Sequence, residues 1–175
     1  MKLTFKNDTF KILQIADTQE GRKVSPDTLA LINAALDREE PDLVVYSGDQ
    51  IWGRGFHGDV NQVRRVLKEL TAPVVERHLP FAICFGNHDR QVGLDNRAQF
   101  EIYKEIPGFI GEDTPGVDGV GNCVLEIADG DRPGYLLYLI DSHSSLKVGY
   151  DHVHQNQIDW YRGVRDSYEK QYGHT

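Results

Sequence analysis

Three short apolar runs, each closing on a polar cluster that contains aspartate, restrict what this chain can fold into more than any other feature. They are Phe10 to Ala16, followed by Asp17-Thr18-Gln19; Leu43 to Tyr46, followed by Ser47-Gly48-Asp49-Gln50; and Phe81 to Phe85, followed by Gly86-Asn87-His88-Asp89. Each is short and rich in β-branched or aromatic residues, which suits a strand. Leu43 to Tyr46 is apolar without alternation, as a strand covered on both faces would be. Two helical patterns separate the runs. Ser25-Pro26-Asp27 opens the first with a hydroxyl N-cap, a proline at the first position and an acid in the first turn. Leu29, Ile32 and Leu36 continue it as an apolar stripe to about Glu40. The second runs from Val60 to Leu70, with Val63, Val66, Leu67 and Leu70 at helical spacing. Thr71-Ala72-Pro73 is expected to interrupt it and to re-cap a short helix reaching His78. Strand, helix, strand, helix, strand predicts parallel strands joined by right-handed crossovers.

Further along, Asp95 is a plausible N-cap for a helix through Phe100 and Tyr103 to Glu105. Asn122 to Ala128 and Tyr135 to Ile140 read as a β-hairpin about the turn Asp129–Gly134. A last helix spans Gln155 to Tyr172, with Ile158, Trp160, Tyr161 and Val164. The fold class expected is therefore α/β: a parallel β-α-β-α-β core, then a β-hairpin and a C-terminal helix. A length of 175 residues suits one domain with a substantial core. A net charge of −8 opposes a broad grip on long nucleic acid, though not on a small phosphorylated ligand held by metal. Met1 to Asp8 is polar, and no stretch approaches membrane-spanning length, so the expected location is cytoplasmic. Cys84 and Cys123 lie in apolar runs and are expected to be buried thiols rather than a disulfide.

In an open parallel sheet, ligands sit beyond the carboxyl ends of the strands. Asp17, Asp49 and Asn87-His88-Asp89 all fall there. Carboxylate and carboxamide oxygens suit divalent cations. One carboxylate can bridge two ions, and a pair of ions clamps a phosphoryl group for in-line displacement. A nearby imidazole can protonate the leaving oxygen, and an adjacent acid can orient it. Taken singly, an aspartate after a strand is usually a turn or cap residue, and Gly-Asp is an ordinary turn pair. Gly-Asn-His-Asp directly behind an apolar strand is more specific, the more so with Asp-x-Gln and Gly-Asp at matching positions upstream.

On those motifs, Asp17-x-Gln19, Gly48-Asp49 and Gly86-Asn87-His88-Asp89, the chain resembles the calcineurin-like metallophosphoesterase superfamily. Gly119-Val120-Gly121-Asn122, Leu139-Ile140-Asp141-Ser142 and Gln157-Ile158-Asp159-Trp160 look like the branch of purple-acid-phosphatase-like and yeast-type Ser/Thr phosphatase relatives. The resemblance implies the N-terminal portion of an α/β sandwich that hydrolyses phosphate esters with a hydroxide bridging two divalent ions (Mn, Fe, Zn, Ni or Mg). It implies that Asp17 holds the first metal, Asp49 bridges both and Asn87 ligates the second. His88 would contact phosphate and assist the leaving group, and Asp89 would orient His88.

Two features depart from the family pattern. Gln19 stands where the family usually has a histidine, and either ligates metal or hydrogen-bonds nearby. The later strand-borne histidine and Gly-His-x-His are not found. His152-Val153-His154 sits in a polar loop without the strand and glycine, and Gly173-His174-Thr175 follows no apolar strand. His57 in the glycine-rich loop and His143 after the hairpin are undecided, and His78 reads as a helix-end residue. The expectation is a domain truncated before its last metal ligands, with weakly bound metal, little turnover and a tendency to self-associate. Substrates expected are a phosphorylated small molecule, a nucleotide or a phosphoprotein, with no membrane partner. The alternatives are a non-catalytic phosphate- or partner-binding relative and a nucleotide phosphodiesterase. A Rossmann-type nucleotide domain is disfavoured, since no Gly-x-Gly-x-x-Gly follows the first strand.

Overall fold

In the computed structural model, which describes residues 2–53 and 55–173, two three-stranded sheets pack face to face. The first holds β2 (Ile12–Ile15), β3 (Leu43–Tyr46) and β4 (Phe81–Ile83), all parallel, in the order β2-β3-β4. The second holds β1 (Leu3–Thr4), β5 (Cys123–Asp129) and β6 (Arg132–Leu139), in the order β1-β5-β6. Helices α1 (Pro26–Glu39), α2 (Val60–Glu76) and α3 (Asn96–Lys104) cover the outer face of the parallel sheet. Helix α4 (Gln155–Tyr172) packs on the hairpin, where Tyr138 meets Trp160 and Tyr161 with ring centroids 6.0 and 4.8 Å apart.

The period of two along each strand divides the core. Val44 and Tyr46 of β3 and Phe81 and Ile83 of β4 face the helices. Leu43, Val45 and Ala82 face Leu3, Cys123, Leu125, Ile127 and Leu139 of the other sheet. This explains the unbroken apolar run of β3: every residue in it is buried, alternately against helices and against a sheet. Cys84 and Cys123 are free thiols in this inter-sheet layer, and burial pushes them up to about 12 and about 11.

Caps fix the helix starts, at Ser25 and Asp95 as the sequence implies and at Asp59 in addition. Ser25 Oγ accepts from Asp27 N, Asp59 Oδ1 from Asn61 N and Gln62 N, and Asp95 Oδ1 from Ala98 N. Several expectations are corrected. Pro73 does not end α2, which continues unbroken to Glu76. Val63, Val66, Leu67, Leu70 and Val74 are all fully buried along one stripe, and that burial outweighs the single backbone hydrogen bond a proline removes. The strand after Lys2 was not foreseen; two residues carry no periodicity, and β1 exists through its parallel pairing with β5. The hairpin turn is tighter than expected: Asp129 pairs with Arg132 and Ala128 with Pro133, with a bulge between Ile127 and Ala128. Pro133 is tolerated because β6 is an edge strand. A 3-10 turn, Asp89–Val92, occupies what was expected to be loop. Among the described residues no helix is long and apolar enough to cross a membrane.

Candidate metal and phosphate site

Parallel pairing of β2, β3 and β4 puts their carboxyl ends side by side, and the loops leaving them stay in contact. Asp17 N donates to Gly48 O at 3.0 Å, Gln19 N to Asp49 O at 2.8 Å and Glu20 N to Gln50 O at 3.0 Å. Thr18 Oγ1 adds a bond to Gln50 O at 2.8 Å. The β3 loop is joined to the β4 loop in turn. His88 N donates to Asp49 Oδ1 at 2.8 Å, and Gln50 Nε2 donates to Cys84 O at 2.8 Å. The three loops that carry the residues singled out at the strand ends are thus hydrogen-bonded side by side.

Asp17, Gln19 and Asp49 all have left-handed backbone, with φ of 56°, 46° and 54°. Non-glycine residues enter that region at a cost, and such outliers gather where side chains must be aimed at a ligand. Glycines supply the close approach that the loops need. A Cβ on Gly86 would lie 2.1 Å from Asp49 Oδ1 and 2.5 Å from Asp49 N. Gly48, at φ +118°, lies so near Gly86 that an added Cβ would stand 3.0 Å from Gly86 Cα. The bare backbone of Gly86 therefore cradles the Asp49 carboxylate.

Asp89 behaves differently from the expectation that it orients His88. Its carboxylate is 1% exposed and accepts three backbone N–H groups: Gly86 at 2.7 Å, Asp49 at 2.9 Å and Ile51 at 3.1 Å. It ties the β3 loop to the β4 turn, and no hydrogen bond to the His88 ring is present among the described residues. Burial pushes this carboxyl up to about 7, with the nearby Asp49 charge adding to the rise and the three N–H donors opposing it. His88 is held by Trp52, whose ring lies 5.5 Å away at 52°, and His88 Nδ1 is buried without a hydrogen-bond partner among the described residues. Trp52 lies in the glycine-rich stretch from Gly48 to Gly58, where no spacing in the sequence marks it as a partner of His88. His57 in that loop is exposed, Arg54 lies outside the described residues, and His78 sits just past the end of α2.

His154, a poor match to Gly-His-x-His in sequence, is the centre of a second cluster. Its Nδ1 is 2.8 Å from Asp118 Oδ2 and its Nε2 is 3.2 Å from Asp151 Oδ1, and these carboxylates raise its pKa above the ordinary histidine value. His143 stacks on it with ring centroids 4.1 Å apart. His152 points to solvent. Their distance along the chain hid the grouping; His174 of the Gly-His-Thr tail lies outside the described residues.

Residues 10–172 match the sequence model of the calcineurin-like phosphoesterase family. The chain belongs to that family. The chain is 31% identical to phosphatase DCR2 of Saccharomyces cerevisiae over 90% of its own length and 32% of that protein's. It is 32% identical to the uncharacterized protein C1020.05 of Schizosaccharomyces pombe, over 87% of the chain and 32% of the relative. With the probable inactive purple acid phosphatase 14 of Arabidopsis thaliana it shares 28% identity over 91% of the chain and 48% of the relative. The chain therefore spans about a third to a half of the length of these relatives. The expected α/β fold and the yeast-phosphatase and purple-acid-phosphatase-like branch are both borne out.

Proposed function

We propose that the β2, β3 and β4 carboxyl ends form a metal-dependent phosphoesterase site acting on a phosphorylated small molecule, nucleotide or phosphoprotein. One observation carries this reading: Asp17, Gln19 and Asp49, three oxygen-bearing residues in left-handed backbone, stand in hydrogen-bonded loops beside the Gly86-Asn87-His88-Asp89 turn. The residues fit a pair of hard divalent cations. The donors are all oxygens, and the space that a Cβ of Gly86 would fill is taken by the Asp49 carboxylate.

Asp17 and Gln19 would hold one ion, Asn87 the other, and Asp49 both. When bound, such ions neutralise charge on phosphate oxygens and lower the pKa of water. The chain's own groups do the rest. The His88 backbone N–H fixes the Asp49 carboxylate, and Trp52 fixes the His88 ring. With Nδ1 buried and unpaired, Nε2 is the ring nitrogen left to face a ligand: a neutral ring would donate a hydrogen bond from it to phosphate, and the doubly protonated ring would give its Nε2 proton to the leaving oxygen and return to the neutral form. Asp89 holds the two loops in register, so its part in the reaction is positional.

Four oxygen donors are a sparse set for two ions, so weak metal binding and slow turnover are expected of residues 1–175. Gln19 and the naming of one relative as a probable inactive phosphatase favour a second reading, phosphate binding without turnover. Equilibrium dialysis with Mn2+, beside p-nitrophenyl phosphate and bis-p-nitrophenyl phosphate assays, tests the proposal. Metal should bind to the chain and to His88→Ala and be lost from Asp49→Asn, and whatever turnover exists should be lost from both variants. Mn2+ binding that survives Asp49→Asn overturns the assignment.

A further inference from the structure

The cluster on the hairpin side of the molecule takes no part in that chemistry. His143 follows β6, and Asp151 and His154 lead into α4. One ligand atom from each lies within 4.8 Å of the others. We propose that His143, Asp151 and His154 bind one transition-metal dication, such as Zn2+, Ni2+ or Co2+, on the wall of a cleft beside Arg90.

The hydrogen bonds around the cluster fix the ring orientations, and the ion would take the place of the proton between His154 Nε2 and Asp151 Oδ1. Gln157 is fully buried, and its Nε2 donates to Asn122 Oδ1 at 2.9 Å and to Asp141 O at 2.6 Å. That fixes which end of the amide is oxygen. Gln157 Oε1 must then accept from His143 Nε2, 3.0 Å away, which places the lone pair of His143 on Nδ1. A histidine whose second nitrogen donates to a carbonyl oxygen is the usual state of a metal ligand. His154 has the same arrangement with a carboxylate. Asp118 faces its Nδ1 at 2.8 Å, while Nε2 faces Asp151.

The separation also fits. His154 Nε2 and Asp151 Oδ1 are 3.2 Å apart. Two ligands at ordinary zinc distances on a tetrahedral ion stand about 3.3 Å apart. The His143 and His154 rings are stacked at 4.1 Å and 24°, so their planes do not yet meet at one point. His143 is half-buried, and binding would require its ring to turn until Nδ1 faces the ion. Two imidazoles and one carboxylate select zinc-like ions over magnesium or calcium, which prefer all-oxygen sets. His143 and Asp151 line a cleft of about 750 Å3 together with Arg90 and Lys147. Positions on the ion not taken by protein would face that cleft.

Calorimetric titration of the chain with Zn2+ alone, and the accompanying shift in melting temperature, tests the site. His143→Ala leaves the start of α4 intact and is the primary variant; His154→Ala is the second. Asp49→Asn separates this site from the phosphoesterase ligands. The expected result is saturable binding in the wild-type chain and in Asp49→Asn, weakened at least about tenfold in both histidine variants. Circular dichroism of His143→Ala should match the wild type. Absence of saturable binding in the wild-type chain, or unchanged affinity in either histidine variant, overturns the proposal. So does loss of the binding in Asp49→Asn.

Discussion

Removing the Asp89 carboxylate should unfold the site rather than merely silence it. In Asp89→Ala, three backbone donors, on Gly86, Asp49 and Ile51, lose their acceptor in a place where the side chain is 1% exposed. Each buried donor left unsatisfied costs about 1–3 kcal/mol. Part of the sum is recovered because a carboxylate no longer has to be buried, which leaves a net loss of about 3–5 kcal/mol. Asp89→Asn is a graded version. Oδ2 takes two of the bonds, so a carboxamide oxygen placed there keeps the Asp49 and Gly86 donors and sets its amide nitrogen against Ile51 N–H. One lost bond corresponds to about 1–2 kcal/mol. Urea unfolding followed by circular dichroism, at about 2 kcal/mol per molar for a domain of this size, would show midpoints lowered by roughly 2 M and 0.5–1 M. If both variants unfold at the wild-type midpoint and lose only turnover, Asp89 acts through His88 after all, and the clamp reasoning is wrong.

Gly86→Ala would drive a Cβ to 2.1 Å from Asp49 Oδ1, so it should cost about 1–3 kcal/mol and displace the Asp49 carboxylate, read as lost Mn2+ binding. A folded variant that binds Mn2+ normally would show that the cradle is not needed. Burial pushes the thiols of Cys84 and Cys123 up to about 12 and about 11. Their thiolate fractions at pH 8 are thus about 10⁻⁴ and 10⁻³, and alkylation of the folded chain should be at least about a hundredfold slower than in urea. Rapid labelling of either cysteine in the native state would contradict the inter-sheet burial. Around Asp42, burial works to raise the pKa, but hydrogen bonds from Lys11 N and Lys6 Nζ prevail and the folded value is lowered. A depressed carboxyl pKa contributes stability above the unfolded value near 4, and that contribution is lost as pH falls through the folded value. Asp42→Asn should therefore cost about 1 kcal/mol at pH 7 and nothing near pH 2, by denaturant titration at both. An equal cost at both pH values would rule out this linkage.

Local rules carried the fold a long way. The caps Ser25 and Asp95, and the buried run Leu43–Tyr46, depend on neighbours in sequence or on burial alone, and all were legible. What failed depended on partners far along the chain. Pro73 is held in α2 by a stripe of buried side chains, and β1 is a strand because β5 lies beside it. The site divides in the same way. Strand order alone placed Asp17, Asp49 and Asn87 together, whereas the acceptor role of Asp89 required Ile51 and Gly86 to be near it in space. Nothing in the spacing of His143 and His154 announces that the buried Gln157 in the first turn of α4 bonds to both and so makes them neighbours.

The Gly86-Asn87-His88-Asp89 turn follows from one physical requirement, that two loops approach to backbone contact without leaving a polar group unpaired. Gly86 and Gly48 remove the side chains that would keep the β3 and β4 loops apart. Asp89 supplies oxygens for the N–H groups that this approach buries, and His88 returns its own N–H to Asp49. Asp17, Gln19 and Asp49 then hold left-handed backbone because the hydrogen bonds of the paired loops outweigh the local strain. Positions 86 and 89 are thus constrained by the fold, which leaves the side chains of Asn87 and His88 free to face a ligand. A motif that looks wholly chemical in the sequence is half scaffold in the structure.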